Sequence, residues 1–132
     1  MKTSSILIVE ADIAVRHPLA EYLRECGYQV VESATTDEAI EFLTESPIPV
    51  EVVLADAQAP GKVDGFGLAT WMRKRCTDAK IILASTVSNA AEKAGEICEH
   101  GPLMEKPYHH QLLLERIKGM KAARDRHGGR QA

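Results

Sequence analysis

The sequence predicts an α/β protein: a doubly wound, five-stranded parallel sheet with helices on both faces. Three observations carry this. Five short apolar runs recur along the 132 residues: ILIV (6–9), QVVE (29–32), VEVVLA (50–55), KIILAS (80–85) and GPLME (101–105). They are continuously apolar rather than alternating, the pattern of strands covered on both faces. Each is followed by a segment whose apolar residues recur at spacings of three and four, so strand and helix alternate five times, which implies parallel strands joined by right-handed crossovers.

The elements follow in order. After ILIV, the residues Val15, Leu19, Tyr22, Leu23 and Cys26 form a helical stripe, and Gly27 stands where a C-cap glycine belongs. Pro18 predicts a kinked first turn, or a start later than Ile13. After QVVE, Thr35 and Glu38 have the spacing of a capping box ahead of Ala39, Ile40 and Leu43. After the third run come Phe66, Leu68, Ala69 and Met72, with both Phe66 and Phe42 expected in the core. Trp71 and the run RKR (73–75) are expected on the outer side of this helix. Ala90, Ala94 and Ile97 form a sparse fourth stripe. Leu113, Ile117 and Met120 form the fifth, beginning just after Pro107. Residues 1–132 read as one domain with a core at about 5–120 and a basic end at 121–132, whose last residues, RHGGRQA, are expected to fray.

Composition narrows the class. Apolar residues make up 45% and charged residues 27%, which fits a globular chain. No apolar stretch approaches the roughly 20 residues of a membrane span. The four apolar residues after MKTSS are too few for a secretory signal, so a cytoplasmic location and no membrane partner are expected. Cys26, Cys76 and Cys98 are odd in number and far apart, which favours buried thiols over disulfides or zinc. Charge is uneven: residues 1–114 sum to −7 and residues 115–132 to +4. A solvated helix end, with cations at the negative pole of the helix dipole, is preferred over a nucleic-acid contact for the basic stretch.

The stretch VEVVLADAQAPG (50–61) runs as an apolar segment into a carboxylate, Asp56, then breaks at Pro60 and Gly61. The other strands end alike: Glu10 and Asp12 follow the first, Ser85 and Thr86 the fourth, Glu105 and Lys106 the fifth. Parallel strands share one carboxyl edge, where ligands of open α/β sheets bind. Crowded carboxylates raise one another's pKa unless a cation intervenes, and Mg²⁺ accepts a few such oxygens together with waters. A carboxylate placed among a divalent ion, an ammonium and a hydroxyl can attack phosphorus and hold the resulting acyl phosphate.

On ILIVEAD, VVLADAQAPG with DGFGLA, IILAS and MEKPY, the chain resembles the receiver domains of bacterial two-component response regulators, over about residues 5 to 120. The resemblance implies a flavodoxin-like sheet of order 2-1-3-4-5. It implies Asp56 as phosphoacceptor; Glu10, Asp56, the Gln58 backbone carbonyl and, as the weakest member, Asp12 as the Mg²⁺ site; Ser85 as the switch hydroxyl with Thr86 beside it; Lys106 pairing with the phosphoryl group; and a cis peptide before Pro107. The implied partners are a histidine kinase or phosphotransfer protein and an unidentified downstream protein.

The sequence departs from that family in three places. The second of two adjacent acids after the first strand, normally a metal ligand, is Ala11, and Asp12 serves equally as N-cap of the first helix. An aromatic often found three residues before the lysine is Leu103, and the loop GKVDG (61–65) is one residue longer. Two functional expectations follow: a stand-alone, non-enzymatic regulator phosphorylated at Asp56, or, because of Ala11, a phosphorylation-independent scaffold that dimerises through its helix-rich faces. A small phosphate- or flavin-binding enzyme is disfavoured, since EADIAVRHP has no glycine-rich loop. Adjacent His109 and His110 are expected to diverge on an exposed first turn.

Overall fold

The computed structural model describes residues 5–75, 78–102 and 107–129, the side chains of 127–129 excepted. Among these, four strands, β1 (Ser5–Val9), β2 (Gln29–Ser33), β3 (Val52–Asp56) and β4 (Lys80–Ala84), pair in the order β2-β1-β3-β4. All three pairings are parallel, with Ile8 opposite both Glu32 and Leu54, and Asp56 opposite Ala84. This is the expected order for the first four strands. Of the fifth expected strand (101–105), residues 103–105 lie outside the described residues, and Gly101 and Pro102 are not in a strand.

Five helices complete the described chain: α1 (Ile13–Glu25), α2 (Thr36–Glu45), α3 (Gly65–Lys74), α4 (Val87–Glu99) and α5 (His110–Gly129). Side-chain alternation along the strands divides the core in two. Ile6, Ile8 and Leu54 pack with α1, α4 and α5 through Leu19, Leu23, Ala94, Leu113 and Ile117. Leu7, Val9 and Val53 pack on the other face with Ala39 of α2 and Leu68 and Met72 of α3. The sheet is therefore covered on both sides, which explains the unbroken apolar character of its strands.

Helix signals match their local chemistry. Thr35 Oγ1 accepts from the Glu38 N–H (3.1 Å), and Glu38 reaches back to the Ala34 N–H (3.2 Å), completing the box. Cys26 caps α1, and Gly27 follows with φ of 98°. Contrary to expectation, Pro18 does not delay α1, which runs unbroken from Ile13 with Pro18 buried inside it. Helix α5 likewise continues to Gly129, through residues expected to fray.

Three further expectations are corrected. Cys26 and Cys98 form a disulfide, 72 residues apart with Cα atoms at 5.5 Å. Both cysteines are buried as expected, but the fold brings the ends of α1 and α4 together and so joins them rather than leaving free thiols. Phe66 is 61% exposed, whereas Phe42 is half-buried against the second core. The reason is angular: Leu68 and Met72 are four apart and share a face, while Phe66, two before Leu68, is turned roughly 200° from it. Finally, the His109 and His110 rings lie with centroids 4.4 Å apart, because His109 precedes the helix and does not follow its rotation.

Helix α5 packs against α1 and α4. Its entrance is at the sheet's amino edge: Tyr108 meets Tyr22 in an edge-on ring contact (5.0 Å), and His110 lies against Gly95 of α4. From there α5 rises between α1 and α4, antiparallel to both, and Arg124 reaches Asp12 at the start of α1.

Candidate functional site

The carboxyl edge of the sheet holds a cavity of about 160 Å³ whose lining includes Glu10, Asp56, Gln58, Ser85 and Thr86. Four residues that the sequence placed at strand ends, Glu10, Asp56, Ser85 and Thr86, therefore meet at one opening together with Gln58, with Ile8, Leu19, Leu54 and Ala90 behind them.

Asp56 is the last residue of β3 and is half-buried. The ladder continues past it, as the Ala57 N–H donates to the Ala84 carbonyl (2.9 Å) and the Ala59 N–H returns to the Asp56 carbonyl (3.0 Å). Its Oδ1 accepts from the Gln58 N–H at 3.1 Å. Gly65, the first residue of α3, packs so closely here that a Cβ would lie 2.5 Å from the Asp56 carbonyl oxygen and 2.8 Å from Ala57 Cα. Glycine at this position is a packing requirement.

The lengthened loop after Asp56 is tied to α2. The Thr36 N–H donates to the Pro60 carbonyl (2.9 Å), the Thr36 hydroxyl to the Val63 carbonyl (2.6 Å), and the Lys62 N–H to Asp37 (3.3 Å). Gly61, at φ of 139°, fits beneath it; a side chain there would strike the Thr36 hydroxyl. Thus the break at Pro60 and Gly61 lets the chain leave the acid and dock on the start of α2.

Glu10 follows β1. Its N–H extends the ladder to the Ser33 carbonyl (3.0 Å), its carbonyl accepts from Arg16 Nη1 (3.0 Å), and its Oε2 accepts from the Asp12 N–H (2.8 Å). Burial raises the Glu10 pKa. The Asp12 hydrogen bond lowers it, the charges of Asp56 and Asp12 add to the rise, and Lys121 opposes them. Asp12 is the N-cap of α1, accepting from the Ala14 N–H at 2.9 Å, and it also pairs with Arg124. Burial pushes the Asp12 carboxyl up. The Arg124 hydrogen bond, the Ala14 N–H and the charges of Arg124 and Lys121 outweigh that and hold it low. Ala11 is exposed and offers no side-chain ligand.

Ser85 and Thr86 precede α4. Thr86 caps it by accepting from the Asn89 N–H (3.0 Å), while Asn89 Oδ1 accepts from the Ser85 N–H (3.1 Å). Asn89 and Arg16 thus position the site, though sequence reasoning passed over both. The T-x-x-N spacing was an available signal for Asn89, whereas Arg16, bridging Glu10 to Glu32 at 3.2 Å, had none.

Lys106 and the peptide before Pro107 lie outside the described residues, as do Leu103 and Glu105. Tyr108, two residues on, stands at the amino edge against Tyr22, away from Glu10 and Asp56. Among the described residues, Arg124 and Lys121 of α5 bring positive charge to the carboxylates of Asp12 and Glu10, and Arg16 binds the Glu10 carbonyl.

The sequence profile of the response regulator receiver domain matches residues 6–118. The chain belongs to that family. Among similar proteins, the transcriptional regulatory protein AruR of Pseudomonas aeruginosa is 31% identical over 118 residues, covering 87% of this chain and 48% of AruR. This receiver chain spans about half the length of the curated relatives it matches. The non-phosphorylated HemR receiver domain from Leptospira biflexa is 25% identical with a TM-score of 0.57, over 89% of this chain and 94% of that one. TrrA from Thermotoga maritima, solved in complex with Mg(2+)-BeF, is 30% identical with a TM-score of 0.55, over 67% of this chain and 81% of that one. The fold is thus the flavodoxin-like receiver fold, and the chain is a receiver domain of two-component signalling.

Receiver domains as a family bind Mg²⁺, and this donor set suits a hard cation held loosely. Glu10 and Asp56 present carboxylates, Gln58 lines the same cavity, and the Glu10 pKa is raised first by burial and then by the charges of Asp56 and Asp12. Among the described residues, no group of three or more His, Cys, Asp or Glu side chains converges as a metal set. No described helix is long and apolar enough to cross a membrane.

Proposed function

We propose that this receiver domain accepts a phosphoryl group on Asp56 from a histidine kinase or phosphotransfer protein, and passes the signal on by protein contact. The observation that carries the reading is the shared cavity of Asp56, Glu10, Gln58, Ser85 and Thr86. An Asp56 carboxylate oxygen attacks phosphorus, the bond from phosphorus to the donor's nitrogen breaks, and the donor imidazole departs with that electron pair. A bound Mg²⁺ would neutralise phosphoryl charge; Glu10, Asp56 and the Gln58 carbonyl are the groups to hold it. The Gln58 N–H donates to Asp56 Oδ1, and Ser85, which lines the same cavity, is assigned the hydroxyl that meets the incoming oxygens. Lys106 is assigned the phosphoryl-pairing ammonium from the sequence alone. New charge at the Ser85–Thr86 turn would bias α4, and the face formed by α4 and α5 is the route outward.

The test is incubation with acetyl phosphate and Mg²⁺, followed by intact-mass measurement of wild type and Asp56→Asn. Gain of one phosphoryl group by the wild type alone supports the assignment. Gain by both, or by neither, refutes it.

A second reading rests on Ala11 and on Asp12 being occupied by Ala14 and Arg124. In that reading the domain is a phosphorylation-independent module that dimerises through its helical faces. Failure to bind Mg²⁺ at millimolar concentration, together with dimerisation in sedimentation runs, favours it.

A further inference from the structure

The basic end of α5, read from sequence as a solvated helix end, stands at the acidic edge. Arg124 Nη1 pairs with Asp12 Oδ1 across 112 residues of chain. The pairing is directed by packing. Leu113 and Ile117, fully buried against α1 and α4, aim the helix at the site. Lys121 is one turn before Arg124 and shares its face. Its charge acts on both Glu10 and Asp12. The polar links are contiguous, since the Asp12 N–H donates to the Glu10 carboxylate while the Asp12 carboxylate takes Arg124. A cation entering beside Glu10 therefore meets a positive charge already in place.

We propose that the last turns of α5 are the pocket's internal counter-cation: Arg124, seconded by Lys121, competes with a divalent ion for the carboxylates that follow β1. The proposal rests on the reading of this cavity as a metal and phosphoryl site. It assigns the basic stretch an intramolecular role and couples metal entry to release of the end of α5. Coupling is reciprocal, so the metal loosens the Arg124–Asp12 pair by the factor by which that pair weakens the metal. The Arg124 side chain is 47% exposed and that of Asp12 27%, so the pair exchanges with solvent readily and salt weakens it.

The experiment is calorimetric titration with Mg²⁺ alone at low ionic strength, using wild type, Arg124→Ala, Arg124→Lys and Arg126→Ala. Arg126 is exposed on the same helix, so its variant removes equal charge away from the pair. Arg124→Ala is expected to bind Mg²⁺ roughly two- to fivefold more tightly than wild type, Arg124→Lys to stay near wild type, and Arg126→Ala to shift less than Arg124→Ala. Moderate salt should narrow the differences. Hydrogen exchange supplies a second readout: Mg²⁺ should speed exchange at residues 121–126 of the wild type. Equal affinities for Arg124→Ala and Arg126→Ala, weaker binding by Arg124→Ala, or no binding by either wild type or Arg124→Ala overturns the proposal. Tighter binding by Arg124→Ala without phosphoryl transfer to Asp56 leaves the proposal standing and removes the phosphoacceptor reading instead.

Discussion

The two edges of the sheet are held by different kinds of bond. At the amino edge, the disulfide Cys26–Cys98 joins the ends of α1 and α4, Tyr22 packs on Tyr108, and the Tyr28 hydroxyl donates to the Ile97 carbonyl at 2.9 Å. At the carboxyl edge, single caps and ion pairs do the holding: Asp12 with Ala14 and Arg124, Thr86 with Asn89, Asp56 with Gln58. The first set includes a covalent link and partly buried aromatic side chains, the second only polar contacts at a more open rim. The contrast teaches that the site can rearrange while the opposite edge keeps α1 and α4 in place.

The largest effect should come from cutting the amino edge. Reducing the disulfide, or replacing both cysteines with alanine, is expected to remove about 2–4 kcal/mol of stability, read by urea unfolding with and without a dithiol. An unchanged midpoint would erase the contrast.

The next effect probes where the two edges are equally unforgiving. Gly65→Ala should cost about 1–3 kcal/mol, because its Cβ must displace main chain of Asp56 and Ala57, and it should also slow phosphoryl uptake. Normal stability would show that the start of α3 can yield.

Smaller still is Thr86→Ala, which deletes the cap of α4 at the cavity's rim. About 1 kcal/mol is expected from thermal melts, with faster amide exchange confined to the first turn of α4. Exchange rising equally at the disulfide end would argue against independent edges.

The smallest effect is a pH dependence. With its folded pKa raised, Glu10 adds stability fully present below its unfolded pKa and lost as pH rises through the folded value. Glu10→Gln should therefore stabilise the protein at neutral pH, and the gain should vanish in acid. Asp12 has the opposite sign: its lowered pKa adds stability that is lost as pH falls. Unfolding free energies of Glu10→Gln and Asp12→Asn across pH 3–8 test both signs.

Much of the fold was legible because its signals are local. The apolar runs marked four strands, the family resemblance supplied their order in the sheet, and Thr35 with Glu38 marked the start of α2. The gathering of residues 10, 56, 85 and 86 followed from parallel pairing, whereas Gln58 was implied by the family resemblance. What could not be read depends on distant partners. Nothing near Cys26 announces Cys98, 72 residues away, and nothing near Arg124 announces Asp12. The basic end looked solvated because its cations lie on one helix and their acid on another element. Phe66 was misjudged by hydrophobicity where angle decides, and Asp64, the N-cap of α3 accepting from the Gly67 N–H at 2.9 Å, was hidden inside a motif read as a loop.

The backbone of Asp56 is stitched to β4 one residue beyond the strand's end and is pressed by Gly65 from the other side. The anchor of any group added to that carboxylate therefore has no slack. Like a post set in stone, it cannot recoil, so strain introduced there must be taken up by whatever faces it across the opening.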